Sequence, residues 1–192
     1  MKNRLTSILK SSYDTFFLVA VVLICCGALY FVNGLTASKR LENESLEQNL
    51  ALAKLYSGPN LNFTPVKNNR YVSSYAYLNE GKELILTLSG SGYGGTISML
   101  AHYASSGEVI NIVCVDHSET DGIGSIITLK NYMDIFKGYG FNKKIPTTKR
   151  EVDSKYIDTI SGATVSFNGV SGAVVAGSSF VKELANKEVD NG

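Results

Sequence analysis

Residues 83–103 read ELILTLSGSGYGGTISMLAHY, and two incompatible folds compete for them. Gly90-Ser91-Gly92-Tyr93-Gly94-Gly95 has the spacing GxGxxG and follows the strand-like run Leu84 to Leu88. Asp116 closes another strand-like run about twenty residues on, as in a dinucleotide-binding βα turn. That reading requires a helix directly after the glycines, whose N-terminus would hold a pyrophosphate. The residues that follow are Thr96 to Tyr103, with Ile97, Met99, Ala101 and Tyr103 in alternation, which is the period of a strand. The stretch therefore predicts a β-hairpin turned by glycines, and nicotinamide binding becomes the disfavoured reading.

Working outward, the same period recurs. Tyr71 to Leu78, Glu83 to Leu88, Thr96 to Tyr103 and Glu108 to Asp116 are strand-like, separated by Asn79-Glu80-Gly81-Lys82, the glycine-rich turn and Ser105-Ser106-Gly107. Four strands joined by short turns predict an antiparallel meander. Ile126 to Phe136 reads as a helix ended by Gly138 and Gly140. After a basic loop with Lys143, Lys144, Lys149 and Arg150, a short strand is expected near Lys155 to Ile160. Val165 to Leu184, rich in Val, Ala, Gly and Ser, reads as a final helix whose glycines let it pack closely on the sheet.

Ahead of this domain, Phe16 to Leu35 is an almost unbroken apolar run with Asn33 as its one strongly polar member. Twenty residues span about 30 Å as a helix, the thickness of a bilayer core. A core helix would show a polar face, and this run has none. A cleaved signal peptide, with Thr36-Ala37-Ser38 as a weak cleavage site, is the alternative. Lys2, Arg4 and Lys10 precede the run while Lys39 and Arg40 follow it, a small bias toward a cytoplasmic N-terminus. Ser38 to Tyr56, with Leu46, Leu50, Ala53 and Leu55 near one side, reads as a helical stalk, broken by Gly58-Pro59-Asn60 before a linker reaching Arg70. The expected organisation is a cytoplasmic N-terminus (1–15), a single transmembrane helix (16–35), a stalk and linker (36–70), an extracytoplasmic α+β domain (71–187) with an antiparallel sheet and packed helices, and a tail (188–192).

The 192 residues carry 18 Lys and Arg against 17 Asp and Glu, a net charge of +1, which offers no clustered basic excess for nucleic acid. His102 and His117 are the two histidines, and Cys25, Cys26 and Cys114 have no CxxC or zinc-ligand spacing, so no metal site is expected. Cys114 reads as a small buried apolar residue. His117 reads as a structural or surface histidine more readily than as a proton donor. A redox role in such a chain requires an organic cofactor.

Asp158-Thr159-Ile160-Ser161-Gly162-Ala163-Thr164 has the form D-x-x-[ST]-G-A-T. On local grounds it reads as a glycine-containing turn into a helix with Thr164 as a cap. It also resembles the flavinylation motif of the FMN-binding domain family, in which the last threonine carries FMN through a phosphoester. Gly92-Tyr93-Gly94-Gly95-Thr96-Ile97 resembles that family's GYGGxI stretch, and Glu119-Thr120-Asp121-Gly122-Ile123-Gly124 its ETPGLG loop. Asp121 stands where the family has proline, Ile123 where it has leucine, and Ser166-Phe167 where Thr-Ser is more usual. The order of these motifs after one N-terminal anchor resembles the G-subunit family of Rnf electron-transport complexes, with the C-subunit family of sodium-translocating NADH:quinone reductases as a relative.

The resemblance implies covalent FMN on Thr164, with Ser161, Gly162 and Ala163 shaping the attachment turn. It assigns Glu119, Thr120, Gly122, Ile123 and Gly124 to a loop along the flavin, with Gly94 at the hairpin. Tyr93 either stacks on the ring or packs within the protein. Asp158 belongs to the signal read by a flavin transferase. The implied function is a membrane-anchored electron-transfer subunit without independent substrate turnover, in an Rnf-type ion-translocating NADH/ferredoxin oxidoreductase. Its implied partners are the other subunits of that complex, a flavin transferase for maturation, and membrane lipid. The alternatives are a role like that of the quinone-reductase C-subunit, or an anchored non-redox module that binds a ligand or partner.

Overall fold

The computed structural model describes residues 2–58, 61–119, 125–128, 130–160 and 163–190, which fall into two units, Met1–Leu46 and Glu47–Gly192. Helix α1, Lys2–Leu55, is one element where the sequence predicts a membrane segment and a stalk in succession. Its apolar part is long enough to cross a membrane, and Phe16, Leu23, Ile24, Leu29 and Phe31 are all exposed. Apolar side chains on every side of a helix suit hydrocarbon, not water.

In the second unit, β2 (Val72–Leu78), β3 (Glu83–Ser91), β4 (Thr96–Ala104) and β5 (Val109–His117) pair antiparallel in chain order, as their alternation predicts. The two-residue strand β1, Thr64–Pro65, pairs with the edge of β2, inside the stretch expected to be linker. Pairing of β3 with β4 runs from Glu83↔Ala104 to Ser91↔Thr96, and the Gly92 N–H donates to the Gly95 carbonyl at 2.7 Å. The GxGxxG stretch is thus the end of a hairpin. No helix follows its glycines, and the dinucleotide reading falls.

The two sheet faces have different neighbours because strand side chains alternate. Leu84, Leu86 and Leu88, with their cross-strand partners Tyr103, Ala101 and Met99, form the main core with Phe167, Val170 and Val174 of α4 (Thr164–Asp190). Full burial of each large aliphatic side chain contributes about 1.5–3 kcal/mol. On the other face, Leu78, Ile85 and Leu100 form a smaller cluster with Ala51 from the end of α1.

Helix α4 resembles a membrane span in length and composition, yet half of its apolar stretch is buried in this domain. Its buried hydroxyls are satisfied locally: Ser171 donates to the Pro146 carbonyl at 2.6 Å and Ser178 to the Gly107 carbonyl at 2.7 Å. The Tyr103 hydroxyl in turn donates to the Val174 carbonyl at 3.0 Å, tying β4 to the middle of α4.

Two expected elements differ. The helix expected over 126–136 is a 3₁₀ turn (Ser125–Thr128), a single helical turn α2 (Lys130–Met133) and another 3₁₀ turn (Asp134–Phe136). Ile127, Tyr132, Met133, Ile135 and Phe136 are all buried, so the backbone follows the contour of the core instead of presenting one amphipathic stripe. The strand expected near 155–160 is a 3₁₀ turn (Ser154–Tyr156) followed by α3 (Ile157–Ile160). The Asp153 carboxylate accepts the Lys155 N–H at 3.2 Å, which starts a helical turn where composition suggests a strand.

Candidate functional site

Ala163 stands directly before the long helix, and Asp158 to Ile160 lie in α3 a few residues earlier. The Ala163 N–H donates to the Ile160 carbonyl at 3.0 Å, and the Ala163 carbonyl accepts the first bond of α4 from the Phe167 N–H at 2.9 Å. Ala163 is thereby the residue that caps the helix, and it is buried. The N–H groups of Thr164, Val165 and Ser166 then precede any possible intrahelical acceptor. Thr164 and Val165 are exposed and no acidic residue stands in this first turn. The positive end of a 27-residue helix therefore carries an accessible hydroxyl beside amide donors that have no intrahelical acceptor, a combination that attracts phosphate.

Beneath the same turn lies Glu119, buried at 8% exposure. One carboxylate oxygen accepts the Ser166 hydroxyl at 2.8 Å and the other accepts the Gly94 N–H at 3.3 Å. The Glu119 N–H donates to His117 Nδ1 at 3.2 Å, so His117 has a structural role as an acceptor. A Cβ on Gly92 would overlap this carboxylate, and one on Gly94 would overlap the Ser118 carbonyl. The glycines of the hairpin end are thus needed for the 117–119 strand exit to pass close by. The Tyr132 hydroxyl is buried near this charge and has no hydrogen-bond partner among the described residues. Burial, and secondarily the Glu119 charge, raise its pKa well above the ordinary phenol value.

The fold thus brings Gly94, Glu119, Ala163 and Thr164 to one end of the domain. Thr120, Gly122, Ile123, Gly124, Ser161 and Gly162 lie outside the described residues. Tyr93 is 81% exposed, so it is not packed within the chain. Asp158 is exposed on α3. Cys114 is half-buried against the core, and burial, with a smaller push from Asp116, raises its thiol to about 12. In the sequence Ser166 stands out only as a departure from a motif, and Tyr132 does not stand out. A serine two residues past Thr164 in an otherwise apolar helix start was the available signal for the first; Tyr132 had none.

The model of the FMN-binding domain matches residues 92–177, from the hairpin end through most of α4. The matched span encloses Gly94, Glu119 and Thr164 together. The chain is 24% identical over 179 residues to the G-subunit of the proton-translocating ferredoxin:NAD(+) oxidoreductase complex of Clostridium ljungdahlii, covering 90% of this chain and 89% of that protein. It is 24% identical over 195 residues to the G-subunit of the ion-translocating oxidoreductase complex of Shewanella piezotolerans, covering 88% and 92%. Over 93 residues it is 31% identical to the corresponding G-subunit of Cereibacter sphaeroides, covering 47% and 42%.

The described residues fit FMN at its phosphate: the N–H groups that open α4 have no intrahelical acceptor, and they lie at an exposed helix N-terminus where a phosphate is stabilised.

Proposed function

We propose that the chain is a membrane-anchored electron-transfer subunit of an Rnf-type ion-translocating oxidoreductase, with FMN joined through its phosphate to the Thr164 hydroxyl. The observation that carries the reading is the position of Thr164: exposed, first in α4, at the end of an intact D-x-x-S-G-A-T motif and within the matched FMN-binding domain. The similarity to two G-subunit proteins along most of their length supports the Rnf assignment over a quinone-reductase one.

In this reading FMN supplies one- and two-electron redox chemistry, and the protein supplies position and electrostatics. The amides of Thr164, Val165 and Ser166 receive the phosphate charge, which the α4 dipole stabilises. The loop Glu119–Gly124 lies along the flavin, and exposed Tyr93 is available to stack on its ring. Ser161, Gly162 and Ala163 keep the turn open for a flavin transferase, with Asp158 part of what that enzyme reads. Covalent attachment retains the cofactor on an extracytoplasmic face, where free flavin is scarce. Helix α1 holds the domain to the lipid over Phe16–Leu35, with its N-terminus cytoplasmic, and the other members of the complex donate and accept the electrons.

Intact mass of the chain purified from its native membrane tests this. The parent carries one FMN and Thr164→Ala carries none; equal FMN increments in both would refute the attachment site. A colourless parent made alongside a flavin transferase would favour the non-redox binding module.

A further inference from the structure

We propose that Glu119 is a positioning residue for the flavin site, acting through the Ser166 hydroxyl. The proposal rests on the FMN reading above and assigns Glu119 a task other than direct contact with the flavin. Both of its carboxylate oxygens are already engaged, one by Ser166 at 2.8 Å and one by Gly94 at 3.3 Å. Its own N–H is held by His117 at 3.2 Å. Residue 119 is therefore fixed by both backbone and side chain, and it opens the sequence motif Glu119–Gly124.

The partners belong to separate parts of the chain. Gly94 is at the β3–β4 hairpin end, and Ser166 is in the first turn of α4, two residues from Thr164. One carboxylate consequently joins the hairpin, the exit of β5 and the attachment helix. A buried carboxylate is costly unless its hydrogen bonds are made, and charge-assisted bonds are the stronger kind. The inner side of the α4 terminus stabilises this charge while the exposed side, at Thr164 and Val165, stays free for phosphate. Shortening Ser166 to alanine leaves the carboxylate buried with half its support, and the three segments lose their common tie.

The test uses full-length chain coexpressed with a flavin transferase, as the parent, Ser166→Ala, Ser166→Thr and the near-isosteric Glu119→Gln. Visible circular dichroism of the flavin and its midpoint potential are read at matched FMN loading. Amide exchange at Phe167, whose N–H is held by the Ala163 carbonyl, and at Gly94, whose N–H is held by Glu119, is read in protein made without the transferase. Ser166→Ala is expected to weaken the flavin dichroism, shift the potential and raise that exchange roughly tenfold, the effect of losing one charge-assisted bond. Ser166→Thr, which restores the hydroxyl, is expected to match the parent. Glu119→Gln keeps the shape but loses the charge, and is expected to raise the potential. A loaded Ser166→Ala chain with the dichroism, potential and exchange of the parent overturns the role of Glu119 while leaving the FMN reading intact. Should Ser166→Ala fail to fold, Glu119→Gln with parental dichroism and potential overturns it equally. A parent lacking FMN overturns the FMN reading, and this role with it.

Discussion

Gly169 of α4 lies directly against Ser91 at the end of β3, so close that a Cβ on Gly169 would overlap the Ser91 carbonyl. Its neighbour across the contact is also a glycine: a Cβ on Gly90 would stand 2.7 Å from the Gly169 carbonyl. Helix and strand meet backbone to backbone, and this brings the first turns of α4 to the hairpin end. Neither backbone can yield without moving its element. Gly169→Ala is expected to destabilise the domain by about 3 kcal/mol despite alanine's better helix propensity. That corresponds to a fall in Tm of roughly 6–12 °C. Thermal unfolding followed by circular dichroism checks it, and a stabilised variant would contradict the close contact.

Tyr93 is expected to separate stability from flavin environment. At 81% exposure its ring gives the apo domain little, so Tyr93→Ala should change stability by no more than about 0.5 kcal/mol. If the ring stacks on the flavin, the same variant raises the fluorescence of the attached FMN by removing a quencher. Fluorescence at matched loading, beside a denaturant titration, reads both effects.

Cys114 is expected to be a poor nucleophile. Its thiol, raised to about 12 chiefly by burial and then by Asp116, holds far less thiolate at pH 8 than a free cysteine. In a Cys25→Ala, Cys26→Ala background, its reaction with a thiol reagent should be roughly a thousandfold slower in the folded state than after unfolding. Reaction at the unfolded rate would show the site to be open.

Glu151 is expected to make the domain sensitive to strong acid. The Thr147 N–H, the Thr147 hydroxyl, the Thr148 N–H and Lys144 hold its carboxyl down to about 2. Because the folded value lies below the unfolded one of about 4.3, this stabilisation is complete above the unfolded value and is lost as pH falls through about 2. Glu151→Gln should remove that pH dependence between about 4 and 2. Carbon-detected titration of the Glu151 carboxyl, with denaturant unfolding at several pH values, tests the sign; a midpoint near 4.3 would contradict it.

The hairpin, the meander and the final helix were legible because their residues repeat at the period of their own structure. Ile97, Met99, Ala101 and Tyr103 alternate for one buried face, and all four are buried on it. The segment 125–136 was less legible because burial on several sides erases periodicity. At 154–160, a single Asp153 side-chain bond outweighed strand-like composition. In the site, Thr164 and Gly94 were visible through motifs of adjacent residues. The Glu119–Ser166 contact spans 47 positions, and no local pattern announces it.

The sequence by itself determined the apolar helix, the antiparallel hairpin order and the long final helix, since each depends on hydrophobic spacing or backbone freedom within a short run. Only the tertiary structure decided that Glu119 is spent on Ser166 and Gly94, that Tyr132 is buried without a partner among the described residues, and that Tyr93 stands free. Such properties depend on which groups folding brings within about 3 Å of one another, and hydrogen bonding at that range is set by chain topology, not by neighbours in sequence.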